Sequence, residues 1–125
     1  MYELTVERSF CAAHFLRDYE GACARMHGHN YRVEVCVAGE QLQANGMLLD
    51  FGRLKELCDA ILGELDHRLL NELPPFSARN ATSENLARYI HDHVRQALTG
   101  TCATVRSVRV WETPGQSATY TEASP

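Results

Sequence analysis

Three histidines near the start of the chain have the spacing of a metal site. His27 and His29 flank Gly28, and residues two apart on a strand point to the same side, so both imidazoles can reach one ion. His14 ends an earlier strand-like run and joins them if the two runs pair. Three neutral imidazoles suit Zn²⁺, and three protein ligands leave the fourth tetrahedral position open for water or substrate. The pattern therefore predicts a catalytic zinc site.

Cys23 precedes this pair in the pattern C-x-x-x-H-G-H. If its thiol binds the metal, the site is closed and structural. If it stands off, the nearby metal charge favours the thiolate, which is a good base or nucleophile near neutral pH. The sequence leaves both roles open. The chain has five cysteines and no C-x-x-C pair, which favours a reducing compartment over a disulfide framework.

Asp66, His67 and Glu112 are acid–base candidates. Asp66 and His67 are adjacent at the end of a predicted helix, where neighbouring side chains diverge by about 100°, so they would not automatically pair with each other. They could converge on a third group only at a helix end. Both could instead be ordinary helix-end residues. Glu112 shares strand parity with Val108 and Val110 and should face where they face, which requires a donor such as the guanidine-like edge of a ligand. The alternative is that the strand ends before Glu112 and the carboxylate is solvated.

Composition limits the classes of protein that could carry these side chains. A chain of 125 residues has room for one ordinary domain, spanning 1–125. Its formal net charge of −4 has the wrong sign for a nucleic-acid partner. No apolar run approaches the ~20 residues that span a bilayer, and the N-terminal residues lack the features of a secretory signal. We therefore expect one cytoplasmic domain that binds neither nucleic acid nor membrane.

The periodicity of apolar residues predicts the elements that position the site. Helical periodicity begins after Asp50 and after Thr82, which are both good N-caps, and 71–80, with two adjacent prolines, is predicted to be a loop. Arg8 interrupts the first strand pattern, so we expect a bulge or bend there. Alternation of apolar and polar residues predicts four strands, at 2–15, 29–40, 104–112 and 116–121.

The order strand, strand, helix, helix, strand, strand favours an α+β architecture. Its simplest form is a four-stranded antiparallel sheet with both helices on one face. The uncovered face and the exposed sheet edges would be protected if the sheet closed into a barrel with copies of itself. We therefore expect a homo-oligomer.

Five segments of the chain carry a family resemblance: FCAAH at 10–14, CARMHGH at 23–29, LDHRLLN at 65–71, TSENLA at 82–87 and WET at 111–113. In their order and spacing they resemble the 6-pyruvoyl-tetrahydropterin synthase family. The match spans nearly the whole chain, and a departure at Ala81, where many relatives have proline, concerns only the stiffness of a loop. The short C-x-x-x-H-G-H spacing resembles the 6-carboxy-5,6,7,8-tetrahydropterin synthases of queuosine biosynthesis, because the pyruvoyl synthases of tetrahydrobiopterin biosynthesis usually have a longer gap.

The resemblance implies a fold, a reaction and a set of alternatives. The fold would be the tunnelling fold, a barrel shared by several subunits, commonly as a homohexamer of two trimers with active sites between subunits. The reaction would convert 7,8-dihydroneopterin triphosphate to 6-carboxy-5,6,7,8-tetrahydropterin, acetaldehyde and triphosphate. The alternatives are the pyruvoyl synthase reaction, a relative acting on sepiapterin-like pterins, and a non-catalytic zinc or pterin-binding module in which Cys23 closes the metal shell.

The resemblance also implies a role for the metal site and the cysteine. His14, His27 and His29 would hold the Zn²⁺, and Cys23 would be the general base that removes a proton from the substrate side chain.

The remaining roles concern proton transfer and substrate binding. Asp66 and His67 would keep Cys23 ionised and return protons, and Glu112 would grip the amino-pyrimidine edge of the pterin. Thr82 and Ser83, at a helix N-terminus, would contact the substrate. Three arginines in predicted loops are candidates for binding the triphosphate: Arg17, Arg25 and Arg79.

Overall fold

Alternation of side chains along the two longest strands determines which face of the sheet is buried. The computed structural model describes residues 1–123. In it β1 (Tyr2–His14) pairs antiparallel with β2 (His27–Gly39), in an unbroken register from Tyr2 opposite Gly39 to His14 opposite His27. The two predicted strands are confirmed, and β2 begins two residues earlier than expected, so that His27 and His29 both lie within it.

Two amphipathic helices cover that buried face. α1 (Phe51–Gly63) follows the N-cap Asp50, and α2 (Ser83–Ala97) follows the N-cap Thr82, as predicted. Each cap side chain accepts a backbone N–H bond at 3.1 Å, which satisfies one of the free donors at a helix start. The buried residues of both helices and of the strands form one core. Among residues 1–123, neither helix has the length and apolar character needed to cross a membrane.

The sheet has five strands, and the prediction of four is wrong. β4 (Thr104–Thr113) and β5 (Gln116–Tyr120) form the predicted C-terminal hairpin. The additional strand, β3 (Arg68–Leu69), pairs parallel with β1, and the strand order is β3-β1-β2-β4-β5. A two-residue strand has no periodicity that a sequence pattern could reveal. The predicted loop that follows contains 3₁₀ turns at Leu70–Glu72 and Pro74–Phe76.

The bulge predicted at Arg8 is absent from β1, whose pairing with β2 is continuous. Arg8 shares the helix-covered face, and its guanidinium donates to both carboxylate oxygens of Asp59 on α1, at 2.8 and 2.9 Å. The bidentate ion pair at the edge of the core accommodates the polar residue without a break in the strand. The register shifts instead between Cys36 and Val37, where β2 pairs with β4.

The opposite face of the sheet carries polar side chains and one tryptophan. Trp111 is only 8% exposed, because the guanidinium groups of Arg32 and Arg109 lie 3.8 and 4.4 Å from its ring centroid. Within residues 1–123, β3 pairs with β1 only at Ala12 and Ala13, so most of that edge of the sheet has no strand neighbour.

Candidate metal centre and active site

The three predicted metal ligands meet at the end of the β1–β2 pair. His14 and His27 are directly opposite in the register, and His29 follows two residues along β2 on the same face. One potential ligand atom of each imidazole lies within 4.8 Å of those of the other two. His14 is 1% exposed, and the other two are half-buried. Strand pairing and alternation are therefore sufficient to assemble the cluster.

Backbone carbonyls determine which nitrogen of two of these rings is free. His14 Nδ1 donates to the Ala81 carbonyl at 2.8 Å, and His27 Nδ1 donates to the Arg25 carbonyl at 2.7 Å. Each Nε2 therefore keeps its lone pair for a ligand. Buried His14 Nε2 and His29 Nε2 have no hydrogen-bond partner. Buried, unpartnered imidazole nitrogens in a group of three fit a metal ion, so this cluster could hold one.

Burial also favours the metal-binding protonation state of two of the three imidazoles, those of His14 and His29. It lowers the pKa of His14, an effect that the hydrogen bond to Ala81 and the nearby Glu112 partly offset and that His27 reinforces. Burial likewise lowers the pKa of His29. The neutral forms of both rings, which are the forms that bind metals, are thus favoured below the usual histidine range.

Cys23 lies outside this cluster. It occupies an exposed 3₁₀ turn, Ala22–Ala24, in the connection between β1 and β2, and its carbonyl accepts a hydrogen bond from Leu16 N–H at 2.9 Å. Among the described residues, the group of candidate ligands contains three imidazoles and not this thiol. The geometry is that of a three-ligand site.

Asp66 and His67 form a pair, which helix geometry alone did not predict. Asp66 Oδ2 lies 2.9 Å from His67 Nδ1. The divergence rule does not apply because α1 ends at Gly63 and His67 has φ of 58°, in the left-handed region. That conformation costs on the order of 1–2 kcal/mol for a residue with a side chain, so the surrounding structure must hold it.

The edge of β1 holds this pair in place. Cys11 N–H donates to Asp66 Oδ1 at 2.9 Å, and the Cys11 carbonyl accepts from His67 N–H. The first of these bonds, followed by the bond to His67, lowers the pKa of Asp66. The side chains of Asp66 and His67 are nevertheless 41% and 80% exposed.

Two cavities border the histidine cluster. The first, of about 480 Å³, is lined by His29 and His67 together with the sheet residues Cys11 and Asn30. Within residues 1–123, no hydrogen bond or ion pair connects His67 with Cys23 or with the three histidines. One chain therefore brings His67 to the edge of this cavity without a hydrogen bond to Cys23.

The second cavity, of about 400 Å³, contains the predicted substrate contacts. Glu112, Thr82 and Ser83 all line it. Glu112 lies within β4, so the alternative in which the strand ends before it is wrong, and its side chain is 21% exposed. Its Oε1 is 3.8 Å from His14 Nε2. Strand parity thus directs this carboxylate toward the metal cluster.

Two asparagines that the sequence analysis did not single out as site residues hold the segment after His14. Asn71 accepts from Phe15 N–H at 3.0 Å and donates to its carbonyl at 2.9 Å. Asn80 makes the same two contacts with Arg17, both at 2.9 Å. These amides replace a strand neighbour for 15–17 and position the chain that leads to Cys23. In the sequence, both asparagines fall within the predicted loop 71–80, and nothing in that pattern indicates their partners.

The candidate triphosphate ligands differ in their availability. Arg17 donates to the Phe76 carbonyl at 3.1 Å, so part of its guanidinium has a structural role. Arg25 and Arg79 are exposed.

The fold and the site together define an α+β protein with a candidate three-histidine metal centre, and comparison with known proteins identifies its family. The sequence profile of the family described as 6-pyruvoyl tetrahydropterin synthase matches residues 3–123. A 6-carboxy-5,6,7,8-tetrahydropterin synthase from Bacillus subtilis is 40% identical over 102 residues, which cover 78% of this chain and 68% of the relative. The human 6-pyruvoyl tetrahydrobiopterin synthase is 36% identical over 126 residues, which cover 90% and 86%.

The fold comparison agrees with the sequence comparison. The structure of the Caenorhabditis elegans 6-pyruvoyl tetrahydropterin synthase matches with a TM-score of 0.83 and 33% identity over 98% of both chains. The chain belongs to the 6-pyruvoyl tetrahydropterin synthase family.

Proposed function

We propose that this chain is a Zn²⁺-dependent enzyme that converts 7,8-dihydroneopterin triphosphate to 6-carboxy-5,6,7,8-tetrahydropterin with release of acetaldehyde and triphosphate. The observation that carries the proposal is the cluster of His14, His27 and His29, with its buried, unpartnered nitrogens. The short C-x-x-x-H-G-H spacing supports the carboxy branch of the family, and the Bacillus subtilis relative bears that name.

The three histidines would hold the ion and leave a position open beside the cavities. When bound there, a Zn²⁺ ion would polarise a hydroxyl or carbonyl oxygen of the substrate side chain and acidify the adjacent C–H bond. The Ala81 and Arg25 carbonyls orient His14 and His27 for this role, since each fixes the proton on Nδ1.

Cys23 is the proposed general base. Its exposed position on a turn leading into β2 leaves the thiolate accessible to a substrate bound beside the histidines. Asp66 bonds to Nδ1 of His67, so Nε2 of that ring is free to exchange a proton with Cys23 and with the substrate.

These groups are separate within one chain, and the active site is therefore proposed to form between copies. The free edges of β1 and β5 would pair in a closed barrel, as a trimer or as a hexamer of two trimers. Closure would place Asp66 and His67 of one copy beside the metal cluster and Cys23 of another copy.

Glu112 is the proposed anchor for the pterin ring. Its half-buried carboxylate can accept two N–H bonds from the amino-pyrimidine edge, and the hydroxyl groups of Thr82 and Ser83 line the same cavity. Thr82 also caps α2, so its oxygen already accepts one backbone bond. Arg25 and Arg79 are proposed to meet the triphosphate.

The second candidate function is the pyruvoyl synthase reaction, in which triphosphate is eliminated from the same substrate. The human relative that bears this type of name is 36% identical across most of the chain, so family membership alone does not separate the two reactions. A non-catalytic zinc or pterin-binding module is less favoured, because Cys23 lies outside the candidate ligand group.

Product analysis tests the proposal. Zinc-loaded protein is incubated with 7,8-dihydroneopterin triphosphate, acetaldehyde is assayed, and the pterin is identified by mass. We expect a carboxypterin and acetaldehyde from the unaltered chain, no turnover from Cys23→Ala with its zinc retained, and full turnover from Cys102→Ala, a control at another exposed cysteine. A pyruvoyl product would assign the second candidate function, and bound zinc without turnover would assign the binding module.

A further inference from the structure

His14 and Glu112 present two hydrogen-bond acceptors to each other. The Ala81 carbonyl fixes the proton of His14 on Nδ1, so Nε2 carries a lone pair. Glu112 Oε1 lies 3.8 Å away, and Nε2 has no donor partner. Two acceptors this close, one of them on a side chain that is 1% exposed, are unfavourable unless a proton or a metal cation lies between them.

The separation of the two atoms matches shared coordination. With zinc–ligand bonds near 2.0–2.1 Å, ligand atoms of a tetrahedral site lie about 3.3 Å apart. The three imidazole ligand atoms are themselves up to 4.8 Å apart before a metal draws them together. The 3.8 Å between His14 Nε2 and Glu112 Oε1 falls inside that range, but Glu112 is not in the group whose ligand atoms all lie within 4.8 Å of one another. Its side chain would therefore have to rotate toward His27 and His29 to reach the ion.

We propose that Glu112 is the fourth protein ligand of the metal ion when no substrate is bound. The inference rests on the metal centre of the proposed function and adds a second role to the carboxylate that anchors the pterin. Glu112 lines the substrate cavity with Thr82 and Ser83, so a ligand entering that cavity competes with the metal for the same oxygens. The open metal position then appears only when the amino-pyrimidine edge of a pterin has taken the carboxylate.

Metal binding without substrate tests this directly. The full chain is stripped of metal, and its Zn²⁺ Kd is measured by competition with a chromophoric chelator. Glu112→Gln keeps the shape of the side chain and removes its charge, and we expect Zn²⁺ to bind at least ~10-fold more weakly. Glu84→Gln is the matched control, because Glu84 lines the same cavity but, unlike Glu112, makes no ion-pair contact with His14 among the described residues, and its Kd should stay within about twofold of the unaltered chain.

The visible spectrum of the Co²⁺-loaded protein separates coordination from a through-space effect of charge. The unaltered chain and Glu84→Gln should share one spectrum, and Glu112→Gln should differ. An unchanged Kd for Glu112→Gln would overturn the proposal, and so would a weaker Kd with an unchanged Co²⁺ spectrum. If Glu112→Gln fails to fold, Glu112→Ala removes the carboxylate altogether, and a Co²⁺ spectrum identical to that of the unaltered chain would overturn the proposal equally.

These measurements involve no turnover. A chain that binds neither Zn²⁺ nor Co²⁺ would contradict the metal centre itself and with it the proposed function. Normal metal binding that does not change when Glu112 is replaced would contradict only the proposal that Glu112 is a ligand.

Discussion

The two ends of the proposed active site are built in different ways. The candidate metal cluster lies at the end of a strand pair in which all 13 residues of β1 pair continuously with β2, and its most buried member, His14, is 1% exposed. The acid–base pair of Asp66 and His67 lies at the edge of the same strand, held by a two-residue strand and a left-handed residue, and His67 is 80% exposed. The first region has most of its contacts within the chain, and the second faces solvent.

This difference separates what one chain completes from what it leaves for a neighbour. His14 and His27 each donate from Nδ1 to a backbone carbonyl, and one chain brings all three imidazoles together. The acid–base pair is oriented by backbone bonds to Cys11, although its strained backbone and exposed side chains gain little from burial within this chain. A conformational cost retained at an exposed position indicates a function, and in the proposed assembly that function is served in a site shared with another copy.

The largest effect should come from removing the acid–base pair. His67→Ala and Asp66→Asn should each lower kcat by about 10²–10⁴-fold while zinc content stays the same, because general acid–base catalysis typically contributes that much. Steady-state kinetics with metal analysis of the same samples checks this. The double variant should be hardly slower than the worse single variant, since the two groups act as a unit. If the fold-losses in kcat of the two single variants instead multiply in the double variant, the two groups act separately.

Removing a metal ligand should weaken zinc binding itself, which removal of Asp66 or His67 should not do. His29→Ala deletes a direct metal ligand and should weaken Zn²⁺ binding by more than about 100-fold. Loss of a group that only orients a ligand already lowers metal affinity by about 10–100-fold. Chelator competition measures this, with His67→Ala as the control that keeps the Kd of the unaltered chain. A His29→Ala variant that binds zinc normally would show that the three histidines are not the metal site.

The sequence predicted these two regions unequally, for physical reasons. The cluster follows from strand parity and one antiparallel pairing, and the caps at Asp50 and Thr82 are local signals, so these predictions are confirmed. The pairing of Asp66 with His67 depends on a single backbone angle after the helix end, which no side-chain pattern encodes.

Contacts between distant segments account for the remaining differences. The bulge expected at Arg8 is replaced by an ion pair with Asp59, which lies 51 residues away along the chain. The amide contacts of Asn71 and Asn80 with 15–17 likewise span more than fifty residues and leave no local trace. Short-range periodicity therefore predicts where the ligands lie, and long-range polar contacts decide how the neighbouring loops are held.

Mixed oligomers would show whether the two regions belong to one site. Cys23→Ala and His67→Ala chains, each inactive alone, are unfolded together, refolded and assayed. If every site takes Cys23 from one copy and His67 from another, random mixing restores about a quarter of the activity of the unaltered protein. Each variant refolded alone is the control. No recovery, with mixed oligomers demonstrated by tagged chains, would contradict an active site shared between copies.

The smallest effect concerns the pH dependence of stability in the metal-free chain. Burial lowers the pKa of His14 and His29 below the ordinary value of 6.5, so the unfolded chain binds more protons than the folded chain once the pH falls below that value. Stability therefore rises with pH through this window and is lost on acidification from about pH 6.5 downward. The lowered pKa of Asp66 acts in a separate window, below its ordinary 3.8.

Thermal unfolding between pH 8 and pH 5 measures this effect. We expect Tm of the metal-free chain to fall by a few degrees below about pH 6.5. His14→Gln, which has no titrating group at that position, should show a shallower slope. Saturating zinc should move the fall to lower pH, because bound metal holds the imidazoles deprotonated. A fall as steep in His14→Gln as in the unaltered chain would mean that the buried histidine is not its source.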